Sequence, residues 1–575
     1  MESVLSNILH TISSLIEEIY PSDVSVFMKA LLLGDKAEFY LDVPLYISMS
    51  RAGIMHVVAV SGLHISFLIG FIRLLFGNSK KCSYICLPLI WVFVLLVGAP
   101  PSAVRAAIMQ SSLLIAPLIR RENDAIRSLL LAFVLIVIFN PTVITSISFQ
   151  LSFGAMLGIV LFSGGLNRFL VRDGCSGLWR YIGGIIASSL SVMIITVPIT
   201  AYHFGTVQLL SPLTNILVLW AVTVCFCGGY VSVLFGALIP AVGKVLSSIV
   251  SMFTRYIFFC ANLISSIPLS NLYCSNSFII WWVVLTYSII LLSFLAGNQL
   301  STRIKILASS MTSITALSVV LLITPLTYQK LDGIISAVDV GQGQCIVIRS
   351  EDSCIMVDCG NNSSFFNAGV LASNYLKGSG CDKVDVLVLS HLHKDHCSGV
   401  EALLELTDVE KIVISEMAST DDELLDSIQK AAEKNGTEIV YSFSDLGLKC
   451  GTIRMNIYQP MEAGDINEQC LFTLADISGY RLLLTGDAGT TAEKAFLNRF
   501  RDDIGTIDLL IAGHHGSKYS TSEELLDAIK CSTSIISCGS NSYGHPTYET
   551  LSRLHDKGCR VLRTDLNHNV EIRIS

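Results

Sequence analysis

Apolar residues come in long blocks over the first part of the chain and in short runs over the rest. Blocks of about the length a bilayer core requires fall near 54–76, 82–99, 101–119, 126–142, 146–163, 181–203, 207–240, 277–297 and 305–325. The block at 207–240 has room for two short or broken segments. Residues 1–50 and 245–268 look amphipathic, which predicts helices lying at an interface rather than crossing it. From Leu331 the pattern changes to short β-rich runs separated by turn residues and helices, an α/β alternation. The expected architecture is an amphipathic interfacial segment (1–50), a polytopic α-helical membrane domain (51–329) and an α/β domain (331–575).

Several spans carry Gly, Pro and polar residues, as in "AVSGLHISF" (59–67) and "SISFQLSFG" (146–154). Irregular, polar backbone at membrane depth is tolerated only beside protein or a water-filled cavity, which favours a pore or transporter over a simple anchor. Arg105 stands alone in the apolar run "PPSAVRAAIM", so it implies either a partner and an aqueous path or a snorkelling helix end. His56, His64 and His203 are ordinarily packing or interface histidines, and Gln150 and Ser152 suit helix–helix hydrogen bonds.

Charge sharpens the division. Residues 1–330 hold 18 Lys/Arg against 10 Asp/Glu, a net of +8, and residues 331–575 hold 20 against 36, a net of −16. Mean hydropathy is +0.62, carried by the first part. Four basic clusters punctuate the spans: Lys80/Lys81, Arg120/Arg121/Arg127, Arg168/Arg172/Arg180 and Arg303/Lys305. With an even number of crossings in 207–240, all four lie on the cytoplasmic side and residue 330 emerges outside. A start bearing Glu2, Glu17 and Glu18 does not read as a cleavable signal peptide. Seventeen cysteines without a CxxC read as reduced, buried thiols.

The chemistry lies in 331–575. "CIMVDCG" suggests a strand ending at Asp358. Four later apolar runs each end on a metal-ligand residue type. "VDVLVLS" leads into His391, His393, Asp395 and His396; "YRLLLTG" into Asp487; "IDLLIAG" into His514 and His515; "STSIISCGSNSYG" into His545. Sites in α/β sheets gather beyond strand carboxyl ends, so these four loops are expected to converge. Two histidines two apart on an extended segment share a side. Imidazoles with carboxylates suit Zn²⁺, Mn²⁺ or Fe, and a bridging Asp487 would let two ions serve phosphodiester hydrolysis. His555 and His568 have no such setting and read as surface histidines. Ser517 in "HHGS" suits a helix N-cap.

"HLHKDH", "TGDAG", "HHGSKYSTS" and "NSYGHP" together resemble the metallo-β-lactamase superfamily, an αββα sandwich, in its competence-associated branch. "AGIMHVVAVSGLHISFLIG", "GAPPSAVRAAIM" and "NPTVITSISFQLSFGAMLGIVLF" resemble the membrane domain of the ComEC-type competence DNA-uptake channel family. The resemblance implies a multi-pass plasma-membrane (inner-membrane) channel for single-stranded DNA in natural transformation. It also implies a fused metal-dependent nuclease on the outer face that degrades the other strand. DNA-receptor and cytoplasmic DNA-translocation proteins are the implied partners. By position, His391, His393, Asp395 and His396 match the metal motif, Asp358 its supporting aspartate, and Asp487 the bridging one. His514 or His515 matches the later ligand. His545 matches a histidine for phosphate contact or general acid work. Asp395, Asp487 and His545 would carry the catalysis, with two divalent ions, Mn²⁺ or Zn²⁺. Ser61, His64, Arg105, Gln150 and Ser152 fall in the channel motifs.

Many superfamily members place a further histidine ligand between the first motif and the bridging aspartate, and residues 397–486 contain none. One ion's shell is therefore short or completed by water. The acidic balance of 331–575 predicts weak, salt-sensitive DNA binding. The alternatives are a membrane-anchored hydrolase of a small substrate and a channel whose hydrolase domain is inactive.

Overall fold

The computed structural model describes residues 2–574 apart from 78–79, 120–121, 123, 172–175, 268–269, 275–276, 296–310, 314, 321, 324–326, 328–330, 352, 363–365, 417–421, 461–466 and 540. Arg120, Arg121, Arg172, Arg303 and Lys305 of the basic clusters lie outside the described residues, as do residues 305–310, 314, 321 and 324–325 of the expected span 305–325. The chain forms two compact units, Met1–Leu272 and Tyr273–Ser575.

The first unit is helical: α1 (Glu2–Ile19), α2 (Ser22–Leu33), α3 (Gly62–Phe76), α4 (Lys80–Leu96), α5 (Pro101–Ile115), α6 (Ala125–Phe139), α7 (Ile147–Leu170), α8 (Gly177–Phe204), α9 (Ser211–Leu238) and α10 (Pro240–Ser265), with shorter helices between α2 and α3. Helices α7 to α10 are long and apolar enough to cross a membrane. Helices α3 to α6 have 15, 17, 15 and 15 residues, fewer than the roughly 20 of a full crossing.

Two sequence expectations change. The block at 207–240 contains one unbroken 28-residue helix, not two short segments. Of residues 245–268, expected at an interface, 245–265 belong to a second long helix, Pro240–Ser265. The break falls at Ile239, because Pro240 lacks the N–H that would continue α9 yet suits the first turn of α10. Small residues let these helices close up. A Cβ on Gly243 would sit 2.4 Å from the Gly236 Cα, and one on Gly158 of α7 would sit 2.2 Å from the Ser191 carbonyl oxygen of α8. Within the first fifty residues, α2 buries Phe27, Met28, Leu31 and Leu32, and a Cβ on Gly229 of α9 would strike Met28 and Leu32.

The second unit, beyond an apolar helix at Ser277–Leu295, is built on two seven-stranded sheets. In chain order the strands are β1 (Gly333–Ala337), β2 (Gly343–Ser350), β3 (Ser353–Asn361), β4 (Lys383–Val388), β5 (Asp408–Ser415), β6 (Glu438–Ser442), β7 (Leu446–Cys450), β8 (Ile453–Tyr458), β9 (Phe472–Ile477), β10 (Tyr480–Leu484), β11 (Leu509–Ile511), β12 (Thr533–Ile536), β13 (Arg560–Arg563) and β14 (Val570–Ile574). The first sheet runs β14-β1-β2-β3-β4-β5-β6, and the second β13-β12-β11-β10-β9-β8-β7. Strands β3 to β6 are mutually parallel, as are β10 to β13.

One apolar layer, with Ile335, Ile346, Val357, Ile457, Leu484 and Ile511, lies between the sheets. Helices Ala368–Gly378, Val400–Leu406 and Asp422–Asn435 cover the outer face of the first sheet through Leu376, Leu403 and Ile428. Helices Thr490–Ile504, Glu523–Ile529 and Tyr548–Asp556 cover the second through Phe496, Leu525 and Leu554. The result is the αββα sandwich. It places the carboxyl ends of β4, β10, β11 and β12 at one seam, where the first sheet meets the second.

Candidate metal centre

Strand β3 carries the supporting residue. Asp358 is fully buried inside it, with φ of +60°. Its Oδ1 accepts from Ser390 N at 2.7 Å; its Oδ2 accepts from Ser390 Oγ and Gln344 Nε2, each at 2.8 Å. His396 Nδ1 lies 2.7 Å from the same Oδ2, so the ring donates there and turns its Nε2 outward. Past β4, His391 sets Nδ1 on Ser390 Oγ at 3.0 Å and its Nε2 3.1 Å from His393 Nδ1.

Past β10, the two oxygens of Asp487 face different histidines. Oδ1 lies 3.1 Å from His396 Nε2 and 4.0 Å from His515 Nε2, while Oδ2 lies 3.9 Å from His391 Nε2 and 3.7 Å from His514 Nε2. The pair after β11 achieves this split through backbone: His514 and His515 both adopt left-handed φ, +48° and +52°, a conformation costly for non-glycine residues. His515 is 2% exposed, anchors Nδ1 on the Ser537 carbonyl at 2.8 Å, and brings Nε2 to 3.5 Å from Asp395 Oδ2. His514 keeps 31% of its side chain exposed.

Two ligand groups result: Asp395, His396, Asp487 and His515 in one, and His391, His393 and Asp487 in the other, each with ligand atoms within 4.8 Å of one another. His396 Nε2, Asp487 Oδ1 and His515 Nε2 are buried and lack hydrogen-bond partners, even though two of them lie only 3.1 Å apart. Buried ligand atoms that converge without a hydrogen-bond partner fit a cation between them, and imidazole with carboxylate suits Zn²⁺ or Mn²⁺.

Electrostatics agree. Burial drives His391 down to about 3, leaving it a neutral donor atom at ordinary pH. Burial opposes charge on His396 and His515 too, yet the neighbouring Asp487, Asp358 and Asp395 carboxylates hold both above their ordinary value. Against burial, His396 and His515 in turn hold Asp487 well below the carboxylate range, and His515 does the same for Asp395. The metal-free centre thus keeps protons where a cation would bind.

His545 joins neither group. It is half-buried, its ring centroid 5.6 Å from that of His514, and burial lowers its pKa. Among the channel-motif residues, Ser61 and His64 cap α3: Ser61 Oγ accepts from Leu63 N and His64 Nδ1 accepts from Ser61 N at 3.1 Å. Gln150 Oε1 pairs with His203 Nε2 at 3.0 Å, joining α7 to α8. Arg105 is buried on α5, donates through Nη1 to the Ser152 carbonyl, and has no partner at Nε; Ser152 Oγ is likewise unpartnered. His555 is exposed, and His568 lies 3.3 Å from Asp339, apart from the metal groups. Sequence reasoning missed Ser390, Gln344 and Ser537, which orient the ligands. Ser390 directly precedes His391 and was open to notice, whereas nothing local marks Gln344.

Residues 31–300 match the family model for the competence protein, and residues 338–446 that for the metallo-beta-lactamase superfamily. The chain carries a competence-protein domain followed by a metallo-beta-lactamase domain. ComE operon protein 3 of Bacillus subtilis is 26% identical over 99% of this chain and 74% of its own length. Competence protein ComA of Neisseria gonorrhoeae is 24% identical over 95% and 74%. Over a shorter stretch, 25% of this chain and 18% of the relative, an endoribonuclease named YSH1 from Mycosarcoma maydis is 26% identical. The chain therefore joins an apolar helical region that matches the competence-protein model to a metallo-beta-lactamase fold that gathers two potential metal groups on one shared aspartate.

Proposed function

We propose that this protein is an inner (plasma) membrane channel for single-stranded DNA whose metallo-beta-lactamase domain is a nuclease acting on the strand that does not enter. The observation that carries the reading is Asp487, which offers one oxygen to each of two ligand groups in a chain with a competence domain. Paired ions at such a site lower the pKa of a water and polarise a phosphoryl oxygen. His391, His393 and Asp487 would hold one ion, and His514, 3.7 Å from the same Asp487 oxygen, would stand in for the histidine that residues 397–486 lack. Asp395, His396, Asp487 and His515 would hold the other. Asp358 fixes the His396 ring, and Ser390 fixes His391. His545, half-buried beside His514, is placed to give a proton to a leaving oxygen or to contact a phosphate.

The layout extends over the whole chain: residues 1–50 at the interface, 51–329 as the channel, and 331–575 as the nuclease on the outer face, reached by DNA handed over from a receptor. Cytoplasmic translocation proteins take the entering strand. Orientation rests on the basic clusters and, among the described residues, on an even number of helices after the third of them, Gly177–Phe204, Ser211–Leu238, Pro240–Ser265 and Ser277–Leu295.

The test uses the full chain in detergent with Mn²⁺ or Zn²⁺ and linear DNA. We expect metal-dependent cleavage that His391→Ala and Asp487→Ala each reduce at least a hundredfold, together with loss of bound metal by elemental analysis. Cleavage by both variants at the parent rate, or none by the parent, overturns the nuclease reading.

A further inference from the structure

Two loops meet beside the metal centre, 513–522 with His514 and His515, and 541–547 with His545, whose ring centroid is 5.6 Å from that of His514. They are clasped together: Thr547 N donates to the Gly516 carbonyl at 3.0 Å, and Thr550 Oγ1 to the Ser517 carbonyl at 2.7 Å. Asn541 stiffens the second loop, its Oδ1 accepting from Tyr543 N and His545 N and its Nδ2 donating to the Gly539 and His545 carbonyls.

These loops expose aromatic rings. Among the described residues of 331–575, six large apolar side chains are exposed; Tyr519 and Tyr543, each at 67%, lie on these two loops, and Tyr548, at 81%, opens the helix that follows the second. Chance scatter would spread them over the whole domain. The Tyr543 ring centroid is 6.2 Å from that of His545, whose ring is 5.6 Å from that of His514, whose Nε2 is 3.7 Å from Asp487. A line of flat rings thus leads from solvent to the shared aspartate.

The charge of this half of the chain, −16, leaves little field to attract a phosphate backbone. Stacking on an aromatic face needs no such field and is blind to base identity, but it does need bases that are not already stacked in a duplex. We propose that Tyr543, at the outer end of this line of rings, forms a base-stacking platform that delivers single-stranded nucleic acid to the metal centre. The proposal rests on the nuclease reading and narrows it, because the platform selects unpaired strands and sets affinity by bases instead of phosphates.

The full chain in detergent micelles, without added metal, is titrated by fluorescence anisotropy with oligothymidylate and with an abasic oligonucleotide of equal length and charge. Tyr543→Ala is expected to lower the ratio of oligothymidylate to abasic affinity about tenfold, and Tyr543→Phe to keep it. The loss is expected to be the same factor at about 50 mM and about 200 mM salt, since stacking is not screened. Equal affinity of the parent for both oligonucleotides, an unchanged ratio in Tyr543→Ala, or equal competition by a blunt duplex overturns the platform. Base-dependent binding without any cleavage would retain the platform and defeat the nuclease reading; cleavage without base dependence does the reverse.

Discussion

At the residue scale the metal motif was legible because its members are close in sequence: HxHxDH places four side chains within six positions on one strand end. Choosing between His514 and His515 was not legible, since it depends on two successive left-handed residues that send neighbouring imidazoles to opposite oxygens of Asp487. Ser61 and His64 show the opposite case, where residues assigned to a channel motif also form a local helix cap. Glu493 was not singled out at all, yet it is fully buried and accepts from Thr521 N and Ser522 N, holding the end of the loop that carries both histidines. Burial raises its carboxyl to about 6 against those hydrogen bonds. A carboxyl raised on folding contributes stability that is fully present below its unfolded pKa of about 4.5 and is lost as pH rises through about 6, roughly 2 kcal/mol in all. Melting temperatures at pH 5 and pH 7 for the parent and Glu493→Gln should therefore differ in slope, the parent losing more between the two; equal slopes would show that Glu493 does not titrate there.

Elements were read well where a period repeats and poorly where a single residue decides. The sandwich strands appeared as apolar runs between turns, and each of the four ligand-bearing runs is a strand. The membrane block at 207–240 hid its true boundary, because hydropathy averages over a window while Pro240 acts at one position. Contact between long helices was also invisible, since it lies in which glycines face a neighbour. Gly158 meets the Ser191 carbonyl, whereas Gly164 and Gly165 on the same helix meet nothing within 4 Å. Gly158→Val should push α7 from α8 at a cost of about 1–3 kcal/mol, seen as a lower melting temperature in detergent, while Gly165→Ala should be neutral or stabilising by up to about 1 kcal/mol. Equal behaviour of the two variants would refute the close approach.

For the whole molecule, the two-part division was plain from charge and hydropathy, but burial of individual thiols was not. Cys381 and Cys397 are 9% and 1% exposed, and Cys450 at the end of β7 is half-exposed, so a membrane-impermeant maleimide should report orientation through Cys450. We expect labelling of Cys450 in intact cells, abolished by Cys450→Ser; labelling only after permeabilisation would place the domain in the cytoplasm. The seam between the sheets has a bearing on biosynthesis as well. His391, His393, Asp395 and His396 follow a strand of the first sheet, whereas Asp487, His514 and His515 follow strands of the second, about a hundred residues later. A nascent chain that stalls before residue 487 holds half a centre with no carboxylate to share, and one that has not docked its second sheet holds two halves apart. The candidate centre is thereby a product of finished folding, closed only once both sheets have formed and met.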